Sequence, residues 1–414
     1  MHKRKTRSAA AGLITVLAVS ATLATGATSA ASPAPRASTG AAQAGTTAVG
    51  SRTVDSTALD NTALDSTALD NRAIGSTATE STFKLADPDT VRANTGHFIT
   101  YGTSRGNAKM CDGATRGLKV PYLVHGHGKR VGMSNCAKGD ALPRRNLPNW
   151  VNKNKGIWAP GVVKYNGKYL MYYTAQKAGT GQRCVGLAWA KGARSEFRPY
   201  GETLRKAKRQ DHPWACPRSG RWVIDANPYV AGGRLYVTYR DDAVTRGKET
   251  GISAVRAGKH GWARKGFAGR RTVITSKDID WDTKGTGPEH SHVIENPAMF
   301  KWNGRWFIAY SANRWQTARY STGIARCGTN PIPQNGCAPM RRGVQRPYFG
   351  FKGKAGINPW RGLPGNHAGP GGMDVFKTAD GSNHVVWHWL KRKNGTRRPI
   401  TGDLVWRDGG FRVR

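Results

Sequence analysis

The sequence predicts an all-β chain folded as a five-bladed β-propeller, preceded by a signal peptide and a disordered linker. Three observations predict it. Five aromatic-rich segments share one hairpin pattern, their turn glycines recur at nearly constant spacing, and residues 1–80 differ sharply in composition from the rest.

The chain opens with MHKRKTR, followed by AAAGLITVLAVSATLATGATSA. A basic start, a short apolar run and small residues near Ala30 have the form of a secretory signal peptide, expected over residues 1–30. A membrane anchor is the alternative, but the run is short and rich in Ala, Ser and Thr. No later segment is apolar for long enough to span a bilayer. The protein is therefore expected to be secreted, with no membrane association. Residues 31–80 read as a low-complexity linker containing STALDNTALDSTALDN from Ser56 to Asn71. Such a segment buries too little apolar surface to offset its ordering entropy.

Residues 81–414 are expected to form the propeller. The five segments are DPDTVRANTGHFITYGTS, APGVVKYNGKYLMYYTA, ANPYVAGGRLYVTYRD, NPAMFKWNGRWFIAYSA and GMDVFKTADGSNHVVWHWL. Their turn glycines are Gly96, Gly167, Gly233, Gly304 and Gly381, separated by 71, 66, 71 and 77 residues. Asn-Gly, Gly-Gly and Asp-Gly permit the positive φ of a tight β-hairpin turn. The alternation of Tyr169, Met171 and Tyr173 fits a strand with one face more buried than the other. Hairpins at a fixed period are the mark of a propeller, and a β-sandwich does not explain the regular spacing. Repeats of about 70 residues exceed a four-stranded blade, so long loops are expected on each.

Six cysteines lie in this region, and pairing of sequence neighbours is expected: Cys111 with Cys136, Cys184 with Cys216, Cys327 with Cys337. Disulfides suit an exported chain. No spacing resembles a zinc site, and no metal or cofactor is expected. The net charge is +40. Bases scattered over a solvated surface account for it most simply. Electrostatic association with an anionic glycan is the sharper alternative. No nucleic-acid motif is present, because the bases are spread along the chain rather than grouped. A monomer is expected.

Acids are scarce, and three precede the first strand of a hairpin: Asp87 in ADPDTV, Asp225 in VIDANPYV and Glu295 in VIENPAMF. A single Asp or Glu before Pro or Asn-Pro is ordinarily a turn cap. Three at matching repeat positions would converge at one end of a propeller channel. Glycoside hydrolysis needs such a set: an acid to protonate the leaving oxygen, a carboxylate to activate water, and a neighbour to tune the acid. Asp89 competes with Asp87 for the base, although strand alternation should turn it elsewhere. Glu289 competes for the acid but lies outside the hairpin start.

These segments resemble glycoside hydrolase family 43 over about residues 80–410. ADPDTVRANTGHFITYGTS is similar to the family's first-blade segment, WAPGVVKYNGKYLMYYT to its second, VIDANPYVAGGRLYVTY to its third and VIENPAMFKWNGRWFIAYSAN to its fourth. The resemblance implies Asp87 as general base, Asp225 as pKa modulator and Glu295 as general acid of an inverting hydrolase. It implies a poly- or oligosaccharide substrate with arabinofuranosyl or xylosyl linkages. Inversion implies carboxyls of Asp87 and Glu295 about 6.5–9.5 Å apart.

Three places depart from the family pattern, one of them the third segment, which reads Asp-Ala-Asn-Pro instead of the commoner Asp-Pro. Many members carry Asp after Trp-Ala-Pro, where this chain has Gly161, and Gly372 replaces the histidine that would attend a central calcium or water cluster. His367 lies near it in sequence. Substrate-contact candidates are Trp158, where a sugar could stack, Arg314 beside Trp315, and His388, each with a purely structural alternative. His290 and His292 flank the Glu295 segment. A non-catalytic propeller that binds an anionic wall or matrix glycan is the alternative to an enzyme.

Overall fold

The computed structural model describes residues 78–414 except 130, 201–211, 218–221, 245–248, 265, 280, 282–292, 341–346, 351–366 and 392–394. The expected signal peptide and nearly all of the expected linker lie outside the described residues, as do Glu289, His290 and His292. The side chain of His367 is likewise not described.

The first strand is β1 (Thr79–Glu80). Blade one follows as β2 (Asp89–Arg92) and β3 (Phe98–Tyr101), a side hairpin β4 (Arg105–Lys109) and β5 (Thr115–Leu118), then β6 (Pro121–His125) and β7 (Gly139–Asp140). Blade two is β8 (Trp158–Tyr165), β9 (Lys168–Gln176), β10 (Arg183–Ala190) and β11 (Arg198–Pro199). Blade three is β12 (Val223–Ala231), β13 (Arg234–Asp241), β14 (Gly251–Arg256) and β15 (Arg271–Thr275). Blade four is β16 (Ile294–Trp302), β17 (Arg305–Ala312), β18 (Ser321–Gly328) and β19 (Ala338–Pro339). Blade five is β20 (His367–Lys377), β21 (Asn383–Lys391) and β22 (Thr396–Arg407), with β23 (Gly410–Val413) paired to the end of β22.

Each predicted hairpin is the inner pair of one blade, and all five turn glycines have positive φ, from 68° to 83°. Every pair within a blade is antiparallel. The innermost strands β2, β8, β12, β16 and β20 pack in sequence around a channel, and β20 returns to β2. The three disulfides join the expected neighbours, Cys111–Cys136, Cys184–Cys216 and Cys327–Cys337. Among the described residues no helix is long and apolar enough to cross a membrane.

Two features differ from the sequence reading. The alternation in β9 does not mark one exposed face. Tyr169, Met171 and Tyr173 enter the core between blades one and two, while Leu170 and Tyr172 enter the core between blades two and three. A propeller blade is covered on both sides, so its strands bury both sets of side chains. The second feature is β1, which falls on the end of the segment read as linker. Thr79 and Glu80 pair with Thr401 and Ile400, adding an outer strand to blade five. Two polar residues carry no strand signal of their own, and a waiting edge on β22 makes the strand.

This closure matters because the seam between blades five and one has little apolar surface. Phe98, Phe376 and Val386 form its small buried cluster, far fewer residues than the cores between the other blades. A chain starting at Ser81 loses β1 and bares the β22 edge. Urea unfolding followed by circular dichroism is expected to show a loss of about 1–3 kcal/mol for the missing ladder bonds. An unchanged midpoint would show that β1 contributes no closure.

Candidate active site

A left-handed residue stands at the equivalent place in or just before the inner strand of each blade. These are Asp87, Ala159, Asp225, Asn296 and Gly372, with φ of 50°, 39°, 56°, 49° and 57°. In blades two to five the register of the inner pair shifts at the same place, the geometry of a β-bulge. Asp87 and Asp225 are therefore equivalent, as the repeat predicts. Glu295 is not: it stands one residue earlier, and Asn296 holds the equivalent position. Glu295 matches Trp158 and Ile224, which face Thr174 and Arg240 across their hairpins as Glu295 faces Ser311.

The left-handed residues share one hydrogen-bonding habit. Each turns its N–H toward the second strand of the preceding blade. Ala159 donates to the Thr103 hydroxyl (3.0 Å), Asp225 to the Thr174 hydroxyl (3.0 Å), and Gly372 to the Ser311 hydroxyl (2.8 Å). Asp87 donates to Nδ1 of His388 (3.1 Å), which fixes that ring as an acceptor there. Blade four breaks the series because the matching side chain is Arg240, which has no lone pair to offer. The N–H of Asn296 goes instead to Oδ2 of Asp225 (3.2 Å).

Arg240 is thereby free to reach Glu295, donating from Nη1 to Oε2 (2.8 Å). Its Nε and Nη2 grip Asp242 at 2.8 and 3.2 Å. The Tyr320 hydroxyl donates to Glu295 Oε1 (3.0 Å) and accepts from the Asn296 amide (2.9 Å). Asp87 accepts from the Thr103 hydroxyl at Oδ2 (2.6 Å) and from Arg397 Nη1 at Oδ1 (3.0 Å). Thr103 thus ties the Asp87 carboxylate to blade two.

The three carboxyls lie close enough to interact electrostatically, and their environments drive them apart. Burial raises Asp87, but the Arg397 guanidinium and the hydroxyl of Thr103 oppose it, and Asp87 is held below the usual carboxylate range. Burial raises Glu295, Arg240 opposes it, and the charge of Asp87 adds to the rise, so the net shift is upward. Asp242 takes most of Arg240's attention, so Glu295 need not stay ionised to pair with it. Burial and then the charges of Glu295 and Asp87 push Asp225 well up. The cluster can hold one carboxylate at Asp87 beside a protonated Glu295, the acid and base pair that hydrolysis requires.

Asp89, the rival base, points elsewhere. It accepts from the N–H of Val162 (2.9 Å) and the amide of Asn227 (3.2 Å), and burial and Asp374 raise it well above the usual range. Asp374 accepts from the N–H of Thr90 (2.9 Å). These acids lie beside a channel cavity of about 30 Å³ and clip neighbouring blades together. Their oxygens accept protein N–H groups, with the amide nitrogen of Asn227 turned toward both acids.

His388 presents no exposed surface to the site. It is fully buried, its ring lies parallel to Tyr320 with centroids 5.7 Å apart, and burial pulls its pKa down to about 3. It is a prop for Asp87. A Cβ at Gly372 would lie 2.8 Å from Nδ1 of His388, and one at Gly371 would lie 2.1 Å from the Tyr320 ring. The space a side chain would take at these glycines is filled by those two rings. A Cβ at Gly161 would sit 2.2 Å from the carbonyl oxygen of Ala226, so blade three leaves no room for an aspartate there.

Trp158 is half-buried with the Arg183 guanidinium 3.7 Å above its ring, and it meets Trp222 edge to face at 6.1 Å. Arg314 is half-buried, and its carbonyl starts the turn to Thr317. The neighbouring Trp315 is the more telling residue: it is exposed, and Arg397 spans from its ring (4.5 Å) to Asp87. Sequence reading missed Thr103, Arg240, Tyr320, Trp222 and Arg397. The first two had a signal, since a polar side chain sits near the aromatic end of each segment, in YGT, YYT, TYR, AYS and VWH.

The sequence model of the glycosyl hydrolases family 43 matches residues 133–411. That match includes Asp225 and Glu295 and begins after Asp87. The alpha-L-arabinofuranosidase 43 of Humicola insolens is 26% identical over 196 residues, 45% of this chain and 36% of that protein. The chain thus spans about a third of that relative. The extracellular endo-alpha-(1->5)-L-arabinanase 1 of Bacillus subtilis (strain 168) is 22% identical over 265 residues, 62% of this chain and 69% of that one. Among solved structures, a thermostable family-43 glycoside hydrolase superposes with a TM-score of 0.60 at 19% identity, covering 80% of this chain and 93% of the other. An endo-arabinase from Bacteroides thetaiotaomicron VPI-5482 gives 0.57 at 15% identity, covering 80% and 99%. The propeller fold is shared with both.

Carboxyl titration by NMR is the direct check on the electrostatics. Asp87 is expected to titrate below 3.8 and to move upward in Arg397→Gln, which removes its positive neighbour. Glu295 is expected to move further upward in Arg240→Gln, because its opposing cation is gone. An Asp87 that ignores Arg397→Gln would contradict the arrangement.

Proposed function

The chain belongs to glycosyl hydrolases family 43, and from that premise we propose that it is a secreted glycoside hydrolase. It cleaves arabinofuranosyl or xylosyl linkages of plant-type polysaccharide with inversion. One observation carries this reading: within a single buried cluster, Asp87 is held low and Glu295 high.

Glu295 delivers its proton to the glycosidic oxygen as the bond to the anomeric carbon breaks. Asp87 takes a proton from a water that attacks that carbon from the opposite face. The sugar leaves with inverted configuration, Glu295 ends ionised and Asp87 ends protonated, and exchange with solvent restores both. Asp225 shapes the site. It is assigned the modulating role, its oxygen fixing the Asn296 N–H beside Glu295, while the charge of Asp87 raises Glu295 itself. Thr103 and Arg397 orient Asp87 through both carboxylate oxygens, and Tyr320 with Arg240 does the same for Glu295. Trp315 beside Asp87, and Trp158 with Trp222 beyond Arg240, offer ring faces for sugars at two margins of the site. Three disulfides suit an extracellular destination.

Assays on nitrophenyl glycosides, arabinan and arabinoxylan test the reading. Glu295→Gln and Asp87→Asn are each expected to lose about 10²–10⁴-fold in kcat/KM on natural linkages. The Glu295 loss should shrink on substrates whose leaving group needs no proton. The pH profile should be bell-shaped, with Asp87 setting the acid limb and Glu295 the alkaline limb. Arg397→Gln should move the acid limb upward. Proton NMR of the first product should show the inverted anomer. Full activity in Glu295→Gln would overturn the assignment, and a wild type that binds but cleaves no glycan would favour a non-catalytic binding propeller.

A further inference from the structure

The hairpin turns of the inner strands lie at the far end of the ring from the carboxylates. Along β16, Lys301 is six residues beyond Glu295, roughly 20 Å at strand rise. On that face a groove of about 570 Å³ opens between blades three, four and five. Its volume falls in the range of sites that hold small ligands or short oligosaccharides.

The groove has a distinct chemistry. Arg234, Lys301 and Lys377 stand on it, all exposed, and its described lining contains no acid. Among the described residues none of the three pairs with a carboxylate, and Lys377 donates to the Gly381 carbonyl of its own hairpin (2.9 Å). Tyr236 and Trp306 form an apolar wall, and Asn383 offers an amide. Behind the wall Tyr229 stacks on Tyr236 at 5.5 Å and meets Trp306 at 5.4 Å, so the wall is firmly backed. A basic surface alone would repel itself without favouring any shape. Here three cations converge on one concavity that also presents apolar and amide groups.

We propose that this groove is a second glycan site, separate from the carboxylate cluster, that holds a carboxylate-bearing polysaccharide chain, a polyuronide. Carboxylates spaced along the chain meet Arg234, Lys301 and Lys377. Hydroxyls along the chain meet Asn383, and no ring stacking is needed, because Tyr236 and Trp306 are nearly covered. The choice of a sugar over another polyanion rests on the glycosidase reading. It also rests on the wall itself. Tyr236 and Trp306 are only 7% and 6% exposed, which leaves no bare ring to receive an unstacked nucleobase. The site would hold the protein against an acidic polymer while the other face works on neutral linkages nearby.

Affinity measurements with the full chain test the proposal. The probes are polygalacturonate, neutral linear arabinan and single-stranded DNA, each at two ionic strengths. Polygalacturonate is expected to bind and to weaken as salt rises. Lys301→Ala/Lys377→Ala should weaken it by roughly tenfold or more, and Lys301→Arg/Lys377→Arg should retain it. Lys109→Ala/Lys155→Ala removes the same charge from blade-one and blade-two loops and should change it little. Equal weakening by both Ala pairs would reduce the effect to diffuse charge and overturn the proposal. So would absence of polygalacturonate binding, or DNA binding of equal strength with the same dependence on Lys301 and Lys377. The readout is binding rather than turnover, so the result stands whether or not the chain cleaves any glycan.

Discussion

In this propeller one backbone N–H per blade is turned by a left-handed residue toward the blade before it. Four of these N–H groups find an acceptor at the equivalent position in or just past the second strand: Thr103, Thr174, Ser311 and His388. A buried N–H without a partner is costly, so the ring of bonds fixes how consecutive blades meet around the channel. The left-handed turn itself would be strained for most side chains. It is tolerated because it bends the inner strand and aims whatever side chain it carries into the channel mouth.

The carboxyl cluster lies where this ring is broken. Arg240 cannot accept a hydrogen bond, so the Asn296 N–H is transferred to Asp225 and the guanidinium turns to Glu295. One substitution in an otherwise regular pattern thus couples two of the three carboxyls and supplies a donor to the third blade's neighbour. Asp242 keeps the arginine from dominating Glu295. On the other side, Asp87 is surrounded by Arg397, Thr103 and His388, all of which favour its charged form or fix its backbone. The two ends of the cluster are therefore prepared for opposite proton states by their partners, with burial acting on both.

Much of the fold was legible because its signals are local. Asn-Gly, Gly-Gly and Asp-Gly turns mark the hairpins wherever they occur, and the spacing of Gly96, Gly167, Gly233, Gly304 and Gly381 gives the blade count directly. Neighbouring cysteines needed only short loops to meet. The site was legible as a set of acids, and its register was not. Glu295 precedes its Pro by two residues where Asp87 precedes its Pro by one, yet both look like acids at a hairpin start. Only the bulge shows that Asn296 is the true counterpart of Asp87. His388 was left between two roles for a related reason: a histidine in a last strand gives no sign of which blade it faces, and this one is sealed beneath Asp87. Arg397 and β1 were invisible because their partners are hundreds of residues away.

Those distant partnerships bear on when the molecule becomes competent. Asp87 lies 301 residues before His388 and 310 before Arg397. The strand that completes blade five comes even earlier, at Thr79–Glu80. Synthesis proceeds at about 5–20 residues per second, so Asp87 emerges roughly 15–60 s before the groups that charge and brace it. Through that interval the first blade has no neighbour on its open side, and the waiting edge at β1 has no strand to join. The ring and the surroundings of Asp87 are finished in one late event, when the last blade docks. A partly made chain has the acids but not their tuning, and so carries an unassembled site until its final strands are in place.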